Sequence, residues 1–208
     1  MKRNILKLAI VAFAAFAMPT MMHAQLGNLA KQAKSAAKTA KTLTSNDNLI
    51  GEDELTVKDL KFKWSYREPG IAFGKGNAAQ KAAGNAIAGE VEPKLKDALK
   101  SLKSGSISFK FEEKGVCTAT MQGKEIPATY TINGPNIDIT LSKPAATLKF
   151  NGRIDGARIQ LAMTPSDLAE FIKVAAPASA DQYLKQMEPA FKTLEKAKNV
   201  YIALWFAR

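Results

Sequence analysis

Histidine is almost missing from this chain: His23 is the only one in 208 residues. Cysteine is as scarce, with Cys117 alone. One Cys makes no internal disulfide, so stability must come from an apolar core. A chain of this length can bury such a core without staples, and one domain is the natural count. Arginine is short too, since 25 of the 30 basic residues are Lys. Arg is the side chain that grips phosphate with a planar fork. The lysines are spread singly, so the net charge of +11 reads as a solubilising surface, with no nucleic-acid partner. A weak contact with anionic membrane or polysaccharide remains compatible with that charge.

The longest apolar run, Leu8 to Met18, is too short to span a bilayer as a helix. Lys2, Arg3 and Lys7 precede it and Met22-His23-Ala24 follows. That order predicts a signal peptide over residues 1–24, with cleavage after Ala24. No Cys lies near the site, which excludes a lipid-anchored lipoprotein. The expected location is periplasmic or secreted. Cleavage would remove three basic residues and His23, leaving a mature charge of +8.

A mature chain without His excludes His-based triads and most zinc sites. Cys117 alternates with Ala119 and Met121, which predicts a buried structural thiol rather than a nucleophile. Glu112 and Glu113 are adjacent, so in a strand they point to opposite faces and make no catalytic dyad. They read as solvated turn residues. The glycines at 70, 74, 76 and 84 do not meet the Walker spacing, and no βαβ unit surrounds them. A flexible loop entering a helix fits them better. The chain is therefore expected to be no enzyme and to hold no metal or cofactor.

What the sequence does have is alternation. From Gly105 to Met163 six short segments follow one another: Ser106–Phe111, Val116–Gln122, Glu125–Ile132, Asn136–Leu141, Ala146–Ile154 and Ala157–Met163. Turn signals separate them, the sharpest being Asp155-Gly156. Apolar residues hold one parity in each segment, so one face of an antiparallel meander is inside. Leu60–Arg67 reads as an earlier strand, ended by Pro69-Gly70. Asn199–Ala207 is apolar on both parities, as a strand covered on both faces would be.

Eight strands with the first and last adjacent close a barrel and remove its edges. Helical patterns fill the gaps. Gly74–Lys103 reads as helical and divided at Pro93. Thr164-Pro165-Ser166-Asp167 starts a helix that Pro177 stops, and Asp181–Lys198 reads as another, kinked or divided at Pro189. The expected class is mainly β (α+β), with helical insertions after strand 1 and before strand 8. Residues 25–54 form a separate stretch. Leu26, Leu29, Ala33, Ala36 or Ala37, Ala40 and Leu43 recur at helical spacing over 25–48, with Lys31, Lys34, Lys38 and Lys41 opposite. Two readings stay open for it, a helix on an anionic membrane surface and a loosely held helix or linker.

Trp64-x-Tyr66-x-x-Pro69-x-x-Ala72-Phe73 and Lys81-Ala82-Ala83-Gly84 resemble a family of lipocalin-like domains of unknown function. These occur in secreted proteins of Bacteroides-type bacteria. Phe109-x-Phe111, Gly115, Gly123-Lys124 and Thr129-Tyr130 continue the likeness, which covers roughly residues 55 to 206. It implies a lipocalin-like barrel over 55–208 and brings no established ligand. Phe62 stands where the lipocalin Gly-x-Trp has its Gly.

The candidate binding residues are the inferred inward aromatics: Phe62, Trp64, Tyr66, Phe109, Phe111, Tyr130 and Phe150. In an eight-stranded barrel they either fill the interior or line a cavity for one small ligand. Two functions follow. One is a non-enzymatic envelope protein that binds a small apolar or amphipathic molecule in the barrel. The other is a structural or interaction module of the envelope with a solid core.

Overall fold

A computed structural model describes residues 54–197 and 199–208. The expected signal peptide and the Ala/Lys-rich stretch lie outside the described residues. The strands are β1 (Lys63–Phe73), β2 (Ile107–Phe111), β3 (Val116–Met121) and β4 (Lys124–Asn133). They continue with β5 (Asn136–Ser142), β6 (Ala145–Asp155), β7 (Arg158–Met163) and β8 (Val200–Ala207). Each pairs with the next, and β8 pairs antiparallel with β1, so the barrel is closed. Every alternating segment of the meander became a strand, within two residues of its expected ends. Gly123, Gly134 and Gly156 take positive φ in the tight turns between strands, as those turns require.

Strand β1 departs from the reading. It starts three residues later than Leu60 and runs through Pro69-Gly70 to Phe73. Only Lys63 to Ser65 pair with β2, whereas Glu68 to Phe73 pair with β8 alone. Beyond Ser65, β1 has no paired strand on that side among the described residues, so the missing N–H of Pro69 breaks no ladder bond there. A bulge between Tyr66 and Glu68 shifts the parity. Trp64 and Tyr66 point inward before it and Ile71 after it.

Four α-helices, α1 (Val57–Leu60), α2 (Ala78–Ala98), α3 (Pro165–Ala175) and α4 (Ala180–Leu194), and two short 3-10 helices, Glu113–Gly115 and Pro177–Ser179, complete the described chain. Pro93 does not divide α2, which is a single helix with Pro93 inside it. A prolyl ring crowds the carbonyl four residues back. Here that residue is Gly89, where even an added Cβ would meet nothing within 4 Å. Pro189 likewise lies inside a continuous α4. A capping box starts α3, with Thr164 accepting from the Asp167 N–H at 3.2 Å and Asp167 reaching back to the Thr164 N–H.

Both barrel ends are plugged. Leu168, Phe171 and Ile172 of α3 are buried, and Phe171 meets Phe150 edge-on at 6.1 Å between ring centroids. At the other end Leu55 donates its N–H to the Gly134 carbonyl. Its side chain lies over Gly152, where an added Cβ would come within 2.7 Å of Leu55 Cδ1. The buried Leu60 ends α1, and its carbonyl accepts from Trp64 Nε1 at 3.1 Å.

Candidate functional site

Six of the seven candidate aromatics come together inside the barrel. Trp64, Tyr66, Phe109, Phe111, Tyr130 and Phe150 are all 5% exposed or less. Phe109 sits at the centre, with ring centroids 6.2 Å from Phe111, 6.1 Å from Phe150 and 5.5 Å from Phe206. Phe111 meets Tyr130 at 5.0 Å and Tyr66 meets Phe206 at 5.8 Å, both edge-on. Such tilted and edge-on contacts are the favoured geometry of packed rings. The Tyr130 hydroxyl donates to the Glu112 carbonyl at 2.8 Å. Burial raises the pKa of both Tyr66 and Tyr130.

Phe62 is the exception and the correction. It is 42% exposed and sits in a bend before β1, outside the wall. The alternation that set it inward does not extend that far, because the strand begins at Lys63. Its ring meets Trp64 edge-on at 6.1 Å, and the Arg208 guanidinium lies 4.4 Å from its centroid.

A cavity wide enough for a ligand would leave accessible surface on the side chains around it. Phe109, Ile107, Ile137, Ile139, Ile159, Ile202, Leu204 and Phe206 have none. The inward face is therefore a packed core. The helices at one end and Leu55 at the other close it.

Cys117 is part of that core. Burial, with a lesser push from the Glu112 carboxylate, raises its thiol pKa to about 12. Glu112 and Glu113 lie at the exposed turn between β2 and β3. Glu112 pairs with Lys110 and Glu113 with Lys61, each at 2.7 Å. Lys61 holds the Glu113 carboxyl below its usual range.

The open feature is on the outer wall. A groove of about 460 Å³ runs across β4 to β8. Asn133, Asn136 and Asn151 form one side of it, in register across β4, β5 and β6. Thr131, Asp138 and Lys149 form the next row on the same strands. Tyr201 of β8 lines it with Ala162, and the first turn of α3 adds Thr164 and Asp167. The Tyr201 ring packs on a small apolar patch of Ala72, Ala162 and Ala203. Thr164 and Asp167 are committed to the α3 cap. The amides are less committed. Asn151 Nδ2 donates to Asn136 Oδ1 at 3.2 Å, while Asn151 Oδ1 is buried with no partner. The neighbouring Gln160 is buried on the same wall, and neither of its amide atoms has a partner.

Sequence reasoning missed this groove. Asn133 and Asn136 flank a turn, and Thr131, Asp138, Lys149 and Asn151 occupy the wet parity, so they read as ordinary surface, while Phe150 and Met163 of the lining carry the inward parity. The one available signal was three Asn at strand positions that the turn lengths place side by side.

Among curated proteins none matches the chain. A solved structure that resembles it is that of a DUF4847 family protein from Bacteroides vulgatus, at 15% identity and a TM-score of 0.32. The likeness covers 71% of this chain and 92% of that one. Residues 31–207 match the family described as "Lipocalin-like domain (DUF4923)". With its closed antiparallel barrel and that match, the chain belongs to this family of lipocalin-like domains.

Proposed function

We propose that the chain is an exported, non-enzymatic envelope protein that binds a small amphipathic molecule on the outer wall of its barrel. One observation carries the reading. The interior is packed to near-zero exposure, whereas the groove beside Tyr201 is open and has the volume of a small-ligand site. Its lining mixes amide, hydroxyl, charged and aromatic groups, which fits an amphipathic partner better than a purely apolar one. The leader-like N-terminus supports export, and the scarcity of His supports binding over catalysis. A packed core is equally what an interaction module would have. Against that second reading, the closed barrel leaves a partner chain only short unpaired stretches to extend, such as Glu68 to Phe73 of β1.

The test is a fragment screen followed by amide chemical-shift mapping on the full chain. The expected hits shift Asn136, Asn151 and Tyr201 and leave Phe109 and Ile139 unmoved. Hits that shift the interior residues, or no hit in the groove, would overturn the reading.

A further inference from the structure

We propose that the groove takes a polyhydroxylated ligand, a neutral saccharide unit, and this rests on the groove being the binding site. The argument starts from the amides. Asn133, Asn136 and Asn151 are register partners on three adjacent strands. Neighbouring strands lie about 4.8 Å apart. The row therefore presents amides at roughly the lateral spacing of hydroxyls across a sugar ring. Each amide carries a donor and an acceptor side by side, and the Asn151 to Asn136 bond uses only one N–H and one lone pair of the row. A pair of adjacent hydroxyls, each able to donate and accept, is the natural complement.

The unpartnered Asn151 Oδ1 strengthens the case. A buried acceptor without a partner is costly, and a native fold keeps few of them. Rotation about χ2 is soft for an amide side chain. Such a turn would exchange the Asn151 Nδ2 bond to Asn136 for a bond from a ligand hydroxyl to this oxygen.

The apolar contribution is an aromatic ring and little else. Tyr201 borders the groove and its ring is held by the alanine patch beneath it. A ring face of this kind packs against the C–H face of a sugar while polar neighbours take the hydroxyls. The same inventory argues against other ligands. A fatty chain needs a continuous apolar channel, and the remaining apolar lining is Phe150, Ala162 and Met163. A phosphate needs concentrated positive charge. Here the one basic residue in the lining, Lys149, is the register partner of Asp138.

The experiment is a glycan microarray probed with the full chain as the cell processes it. Titration calorimetry then follows on the best neutral glycan. Wild type is expected to bind, and Asn151→Ala and Asn136→Ala to weaken binding about tenfold each, the loss of one or two hydrogen bonds. Tyr201→Ala should abolish it, and Asn136 is exposed enough that its variant will fold whatever happens at Tyr201. No glycan bound, or affinity unchanged in both Asn variants, would overturn the proposal. If fragments still map to the groove while no glycan binds, the saccharide assignment fails and the binding site stands. If neither maps there, the binding site fails as well.

Discussion

At the scale of single residues, burial decides what each side chain does, and Cys117 shows it most directly. Its thiol, raised to about 12, is protonated across the physiological range. The thiolate is the reactive form, so the native protein should resist thiol reagents at pH 8 and react only as fast as it opens. Rapid labelling of folded protein would contradict this. The stability consequence has a definite sign. The folded pKa lies above the ordinary value of 9.0, so the contribution is complete below pH 9 and lost as pH rises toward 12. The loss is at most about 1.4 kcal/mol per pH unit. Ordinary amine and phenol groups also change charge at alkaline pH. The measurable quantity is therefore the difference between wild type and Cys117→Ala in denaturant midpoints, which should narrow above pH 9. Phe62 gives the opposite lesson. Its exposed ring touches Trp64 and Arg208 from outside, so Phe62→Ser should cost under about 1 kcal/mol. A loss of several kcal/mol on chemical denaturation would return Phe62 to the core.

Elements are held by their ends as much as by their faces. Helix α3 carries the buried plug Leu168, Phe171 and Ile172, and its start is fixed by the Thr164–Asp167 box. Thr164→Ala removes the acceptor for the Asp167 N–H and should cost about 1 kcal/mol, read as a lower thermal midpoint. Thr164→Ser should restore most of it. This helix was legible in the sequence, because Thr-Pro-Ser-Asp before an apolar period is a local signal. So were the six meander strands, where the alternation and the turn residues agree. Strand β1 was legible only in part. Pro69-Gly70 looks like a stop, but whether a proline ends a strand depends on a ladder partner that is distant in sequence. Here that partner is β8 on one side, with no strand paired beyond Ser65 on the other among the described residues. Pro93 misled as well, since a helix continues through it, as one does through Pro189. The groove was illegible because its asparagines come from three strands whose surface positions carry no periodic signature.

At the scale of the whole molecule, the question is whether the barrel encloses a space or a core, and Trp64 decides it. Its ring is 1% exposed, its Nε1 donates to the Leu60 carbonyl, and the Arg208 guanidinium stands 5.8 Å from its centroid. Trp64→Ala in a packed interior leaves a void that neighbours on eight paired strands cannot collapse into. The expected cost is about 3–5 kcal/mol, measured by urea unfolding. Beside an open cavity, the same substitution would cost much less and would impair ligand binding instead. A companion measurement separates the two without loss of the ring. With Trp205→Phe the emission reports Trp64 alone among the Trp residues. Titration with laurate or cholate should then leave the emission unchanged, since no amphiphile reaches a sealed interior. Trp205 on the outer wall, beneath the Arg158 guanidinium at 4.3 Å, is the residue whose emission is open to events outside the barrel. A Trp64 signal that moves with the amphiphile, together with a mild Trp64→Ala, would place the ligand inside the barrel and remove the outer groove from its role.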